Sequence, residues 1–302
     1  MTRPSQPATV SFIGAANNKL VADVFGHRGQ PVLLLHGGGQ TRHAWRKTAE
    51  EIARTGRVAY ALDQRGHGDS DWVDSGAYGF ADFAADVKIV AAELARRSGE
   101  NPVVIGASLG GIASLLAEGE LNRNEPLFDA LVLVDITPRV SADGVGKIHS
   151  FMRAHAQEGF SSVAEAANAV AEYLPHRPKP KSNEGLKKNL RQSSDGRWRW
   201  HWDPRFMDGP RRVGAEREQT EAMLVEAAKR IRIPTLLVRG GSSELVQEAH
   251  VREFLQLVPH ATYVDVGGAR HMVAGDRNDH FAAALLDFLG RSGASVKPPA
   301  GH

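Results

Sequence analysis

Six short runs of apolar and β-branched residues set the strongest constraint on how this chain can fold. They are PVLLL (31–35), VAYALD (58–63), PVVIGAS (102–108), LVLVD (131–135), IPTLLVRG (233–240) and ATYVDVGG (261–268). Most show no polar alternation, so both faces of the strand are apolar and both have to be covered, the condition inside a parallel sheet flanked by helices. The segments between them are helical in pattern. Phe80, Phe83, Val87, Val90 and Leu94 recur at spacings of three and four and form one apolar stripe on a helix before the PVVIGAS strand. DHFAAALLDFL reads as a closing helix, with Asn278 or Asp276 as its cap. The expected class is α/β, a mostly parallel sheet between helices.

One interruption breaks the β–α alternation. The stretch from about Pro138 to Arg230 separates two sheet strands and is too long for an ordinary crossover. GVGKIHSFMRAHAQEG and EQTEAMLVEAAKRI look helical, whereas closely spaced prolines make PHRPKPKS an extended connector. The expected organisation is a core of residues 1–137 and 231–290, an inserted, mainly helical cap over 138–230, and a disordered tail over 291–302. At 302 residues, 42% hydrophobic and 24% charged, the chain can bury one large core with such an insertion. The absence of cysteine excludes disulfides, thiolate nucleophiles and Cys-ligated zinc, and suits a reducing compartment. The start has no continuous apolar stretch and nowhere do about 18 apolar residues run together. A cytoplasmic protein without a membrane partner is expected.

Chemistry concentrates at the strand ends. VVIGASLGGIAS is a strand entering Gly106-Ala107-Ser108-Leu109-Gly110 and then an Ala-rich helix start, the G-x-S-x-G nucleophile elbow in the context it requires. Such a bend presents the Ser108 hydroxyl above the sheet edge and aims the Leu109 N–H at a developing oxyanion. His36-Gly37-Gly38-Gly39 follows the PVLLL strand, and a glycine turn there lets backbone N–H groups approach a substrate oxygen, with Gly38 as the second oxyanion donor. His36 is expected to hold that turn by hydrogen bonds, and His43 and Trp45 either line a pocket or pack. Gly268-Ala269-Arg270-His271-Met272 follows the last strand, which makes His271 the general base. The third member is a carboxylate between serine and histidine in the chain. Asp135, ending LVLVD, and Glu244, in RGGSSELV, both meet that condition.

These residues, with Asp63-Gln64-Arg65-Gly66-His67-Gly68-Asp69-Ser70 after VAYALD, resemble the α/β-hydrolase superfamily over about residues 8 to 290. The resemblance implies the α/β-hydrolase fold and gives the DQRGHGDS turn a structural role. In the commonest pattern the acid stands where Glu244 does. A branch of small esterases and some lactonases takes it from the position of Asp135, and VDITP followed by a cap with a DGRW-like stretch is similar to that branch, so Asp135 ranks ahead of Glu244. Ser108 at the elbow, where epoxide hydrolases and haloalkane dehalogenases carry Asp, disfavours those reactions. GASLG also departs from the GDSAG of the hormone-sensitive-lipase-like group.

The expected activity is hydrolysis of a small-molecule ester, lactone or thioester through an acyl-enzyme on Ser108, without metal or organic cofactor. The same residues would also serve carbon–carbon hydrolysis, perhydrolysis or, with little turnover, a ligand receptor. GRWRWHWDPRF (196–206) raises a competing possibility, because interleaved rings and cations suit single-stranded nucleic acid. His176 to Arg217 holds 12 Lys or Arg against 5 Asp or Glu in a chain of net charge +2. The serine elbow argues instead for a small-molecule acyl substrate and no nucleic acid. Period-two alternation in an extended strand puts Trp198, Trp200 and Trp202 on a pocket wall and Arg197, Arg199 and His201 outward, and the basic cap hints at an acidic acyl group.

Overall fold

The computed structural model describes residues 7–120, 125–175, 177, 182–273 and 278–292. Its centre is an eight-stranded sheet. In chain order the strands are β1 (Ala8–Ile13), β2 (Lys19–Phe25), β3 (Pro31–Leu35), β4 (Val58–Leu62), β5 (Val103–Ala107), β6 (Ala130–Val134), β9 (Thr235–Gly240) and β10 (Thr262–Val266), while β7 (Leu190–Gln192) and β8 (Trp198–Trp200) form a separate hairpin. The sheet order is β1-β2-β4-β3-β5-β6-β9-β10, antiparallel through β1, β2 and β4 and parallel from β4 onward. All six expected strands are present, with ends within two residues of those read from the sequence.

Period-two side-chain direction divides the core in two. Leu33, Leu35, Leu131 and Leu133 point to one face, where they meet α2 (Phe80–Ser98), α3 (Leu109–Glu118), α8 (Arg217–Arg230) and α9 (Glu248–Leu257). Val32, Leu34, Ala130 and Val132 point to the other, against α1 (Arg46–Arg54) and α10 (Asn278–Ser292). Each central strand is therefore buried on both sides, the reason for its unbroken apolar sequence.

Strands β1 and β2 were not anticipated. β1 is an exposed edge strand, and β2 carries Asp23 in its middle, buried against Arg42 at 2.9 Å. Helix α10 is described over Asn278–Ser292, its capping by Asn278 or Asp276 falls outside what the described residues show, and Arg291 and Ser292 still belong to the helix rather than to a tail. The remainder of the tail and most of PHRPKPKS also lie outside the described residues.

Between β6 and β9 come α4 (Ala142–Ala154), α5 (Val163–Tyr173), α6 (Glu184–Lys187), the β7–β8 hairpin, α7 (Arg205–Asp208) and α8. Ser141 and Ser162 cap α4 and α5 by accepting from the Gly144 and Glu165 amides. Helix α8, at the end of this span, packs against α3 and α9. Among the described residues no helix is long and apolar enough to cross a membrane.

Parallel register aligns the strand ends. Leu35 pairs with Gly106, Ala107 with Val134, and Val134 with Val238. The residues just beyond β3, β5, β6 and β9 consequently emerge side by side at one edge of the sheet, where open α/β sheets place their ligands.

Candidate active site

Ser108 stands between β5 and α3 with φ 46° and ψ −111°, a conformation that costs a non-glycine residue ~1–3 kcal/mol. Close packing on both sides enforces it. A Cβ on Gly106 would lie 2.5 Å from Gly110, and one on Gly110 would lie 2.5 Å from the Leu35 carbonyl oxygen. Helix α3 can start directly from the strand only because both positions are glycine.

Asp135 leaves β6 with φ 49° and is fully buried. One carboxylate oxygen accepts from the Gly240 amide at 3.0 Å. The other accepts from the Ser243 hydroxyl at 2.6 Å and from His271 Nδ1 at 2.8 Å. A proton on Nδ1 leaves the His271 Nε2 lone pair free, the state a general base requires. Glu244 makes no such contact, and among the described residues its buried Oε2 has no hydrogen-bond partner. The acid that touches His271 is thus Asp135, and the loop containing Glu244 contributes the neighbouring Ser243 instead. Ser243, which also accepts from the Leu245 and Val246 amides, was not anticipated from the sequence.

The glycine turn after β3 is held by imidazoles. His36 Nδ1 donates to the Gly37 carbonyl at 2.8 Å while Nε2 accepts from the Gln64 amide at 3.1 Å. His67 Nε2 accepts from the Gly39 amide at 3.1 Å, and its Nδ1 donates to the Arg65 carbonyl at 2.9 Å. Both rings must be neutral to do this, and burial drives their pKa values down, to about 4 for His36 and about 3 for His67. Across a trans peptide the C=O and N–H point in opposite directions, so fixing the Gly37 carbonyl toward His36 turns the Gly38 N–H away from it. Among the described residues neither the Gly38 nor the Leu109 amide donates to a protein acceptor. The DQRGHGDS turn buttresses the same region: Asp63 accepts from the Arg42 amide and guanidinium and the Asp69 amide, and Arg65 grips Asp86 through two bonds of 2.7 and 2.6 Å.

Residues 26–278 match the family described as serine aminopeptidase, S33. The chain belongs to the α/β-hydrolase superfamily. It is 29% identical over 255 residues to esterase Rv0045c of Mycobacterium tuberculosis, a match covering 82% of this chain and 78% of that protein. It is 30% identical over 236 residues to 2-(acetamidomethylene)succinate hydrolase of Mesorhizobium japonicum, covering 76% and 77%. The crystal structure of the Mycobacterium tuberculosis esterase superposes with a TM-score of 0.72 at 27% identity, over 95% of this chain and 92% of that one. The structure of E-2-(acetamidomethylene)succinate hydrolase superposes with a TM-score of 0.77 at 24% identity over 94% and 100%, a likeness of fold.

In this hydrolase a cavity of about 590 Å³ opens beside Ser108, bordered by Gly38, Leu109 and His271 and roofed by the inserted segment. Its walls are largely apolar, with Ile136, Ile148, Met152, Trp200, Trp202 and Phe206 prominent. Two of the expected pocket residues lie elsewhere. Trp198 is half-buried outside the cavity lining with Lys187 over its ring at 5.9 Å, and His43 faces Asp23 at 3.6 Å. Trp45 is buried, packs against Phe281 and borders the cavity.

The alternation expected for RWRWHW also fails at one position. Arg199 turns outward to Asp195 and Arg197 to the Glu158 and Gly159 carbonyls, but His201 is only 1% exposed. Strand β8 ends at Trp200, so its period no longer governs residue 201. Arg197 and Arg199 are thereby bound outside the cavity lining, whereas Arg177, another of the cations counted in this stretch, borders the cavity and donates to the Met272 carbonyl at 3.5 Å. Arg205 pairs with Asp203 and Arg211 with Asp82, while Arg217, at the cavity wall, is bound to Glu221 at 2.8 Å and to the Val140 carbonyl at 2.9 Å.

Proposed function

We propose that this hydrolase cleaves carboxylic esters of neutral, apolar small molecules through an acyl-enzyme on Ser108. The observation that carries the reading is the Asp135–His271 hydrogen bond at 2.8 Å on the rim of the cavity that also exposes the Ser108 elbow. His271 Nε2 takes the Ser108 proton as Oγ attacks the ester carbonyl. The oxyanion settles on the Gly38 and Leu109 N–H groups, and Asp135 stabilises the imidazolium. Collapse of the tetrahedral adduct breaks the acyl–oxygen bond, and His271 returns the proton to the leaving alkoxide. Water, deprotonated by the same imidazole, then releases the acid and restores Ser108.

The substrate class follows from the walls. Apolar and aromatic side chains around the cavity favour an apolar acyl or alcohol group, and the pairing of Arg199, Arg205 and Arg211 outside the lining leaves Arg177 and Arg217 as the segment's only described cations on the wall, too few against that surface to call for an acidic one. Lactones and thioesters share the same carbonyl chemistry and are accommodated by the same steps.

Ser108→Ala should reduce turnover of a nitrophenyl ester by ~10³-fold or more, and a fluorophosphonate probe should label the native protein and not the variant. Near-native turnover by Ser108→Ala sinks the proposal. Within a graded series, a hexanoyl ester should be preferred to a succinyl monoester of similar length, and the reverse order would overturn the apolar assignment.

A further inference from the structure

The inserted segment meets the glycine turn with more than ring surface. Met152, Trp202 and Phe206 pack onto Gly38 and Gly39 so closely that a Cβ on Gly39 would lie 3.1 Å from Met152 Cε and one on Gly38 3.2 Å from Phe206 Cζ. Beside them His201 reaches in from the end of the tryptophan motif. The Gly68 amide donates to its Nδ1 at 2.6 Å, so the proton sits on Nε2, which donates to the Gly39 carbonyl at 3.3 Å. On the other side of the same α-carbon, the Gly39 amide is held by His67. The two peptide groups flanking Gly39 are therefore each gripped by an imidazole, one from the core and one from the insertion. Gly39 needs that restraint. Its φ of 76° is open to glycine and to few other residues, and glycine has the widest conformational freedom to lose.

We propose that His201 is a positioning residue for catalysis: through the Gly39 carbonyl it holds the 37–40 turn so that the Gly38 N–H receives the oxyanion, which makes seating of the insertion part of assembling the site. The proposal rests on the acyl-transfer reading above. Burial beside His67 and His36 keeps the His201 pKa well below its ordinary value, so the required neutral ring persists at working pH.

His201→Asn and His201→Gln in the full chain separate this role from simple packing. Asparagine reaches only the Nδ1 position and can accept from Gly68 while losing the donor to Gly39. Glutamine can place an amide N–H where Nε2–H stood. His201→Asn should lower kcat for a nitrophenyl ester by ~10-fold or more with KM within about 2-fold, and should speed hydrogen exchange across residues 37–40. His201→Gln should recover most of both. A loss confined to KM, or exchange in His201→Asn indistinguishable from native, overturns the proposal. Imidazole nitrogen shifts of the native protein provide a test without any variant: the neutral Nε2–H tautomer is expected at neutral pH, and the Nδ1–H tautomer or an imidazolium there would refute the geometry. Should native protein and Ser108→Ala prove equally inert toward esters, the acyl-transfer reading fails, while the exchange and tautomer results still decide whether His201 holds the turn.

Discussion

At the scale of single residues, the two acids differ in what surrounds them rather than in type. Asp135 carries three hydrogen bonds, from Gly240, Ser243 and His271, whereas Glu244 carries none to His271. Asp135→Asn should therefore cost ~10²–10⁴-fold in kcat, because the new amide would favour the wrong imidazole tautomer. Glu244→Gln should change kcat by less than about 3-fold, since it removes charge without touching the imidazole. Parallel kinetics on the pair decide it, and the opposite pattern would move the acid to Glu244. Ser243→Ala removes a donor to Asp135 together with the acceptor for two amides, so a stability loss of ~1–3 kcal/mol in urea unfolding should accompany its drop in kcat. Ser108, His271, Gly38 and Leu109 could be singled out in the sequence because each lies within about five residues after the end of a core strand. Residue type and position alone left both Asp135 and Glu244 open, since each follows a core strand, and only the family resemblance ranked Asp135 first. Nor did the sequence show Ser243 or the inward turn of His201, because both depend on contacts between segments more than a hundred residues apart.

Among the elements, strands buried on both faces could be read directly, for the same reason that β1 and β2 could not: an exposed edge and a buried Asp23–Arg42 pair both break the apolar run. The hairpin of β7 and β8 is three residues on each side, so the period read in RWRWHW does not persist as far as His201. The elbow offers the sharpest test at this scale. Gly110→Ala would drive a methyl group to 2.6 Å from Leu35 Cβ and force α3 away from β3. Separating a helix start from a central strand exceeds ordinary overpacking, so a loss of at least ~1–3 kcal/mol is expected, with slower fluorophosphonate labelling of Ser108. A variant with native unfolding midpoint and labelling rate would mean that the turn has slack these distances do not allow.

For the whole molecule, the buried histidines couple the site to global stability. Burial pushes the pKa of His36 down to about 4 and that of His67 to about 3, against 6.5 when free, and lowers that of His201 as well. Lowered histidine pKa values mean that the unfolded chain binds more protons than the folded one between those limits. Stability is then complete above pH 6.5 and falls as pH drops from there toward 4, His36 and His67 each accounting for ~3–5 kcal/mol at the order-of-magnitude level. The Arg42 partner Asp23, whose pKa is lowered, adds its own loss only at pH values near and below 4, so the interval from 6.5 to 5 belongs to histidine. Urea unfolding across that interval should show midpoints falling steadily, with an uptake of two or more protons per unfolding event. A flat profile from pH 7 to 5 would mean that the imidazoles bracing the glycine turn are not neutral and buried together, and the turn would then need another source of rigidity.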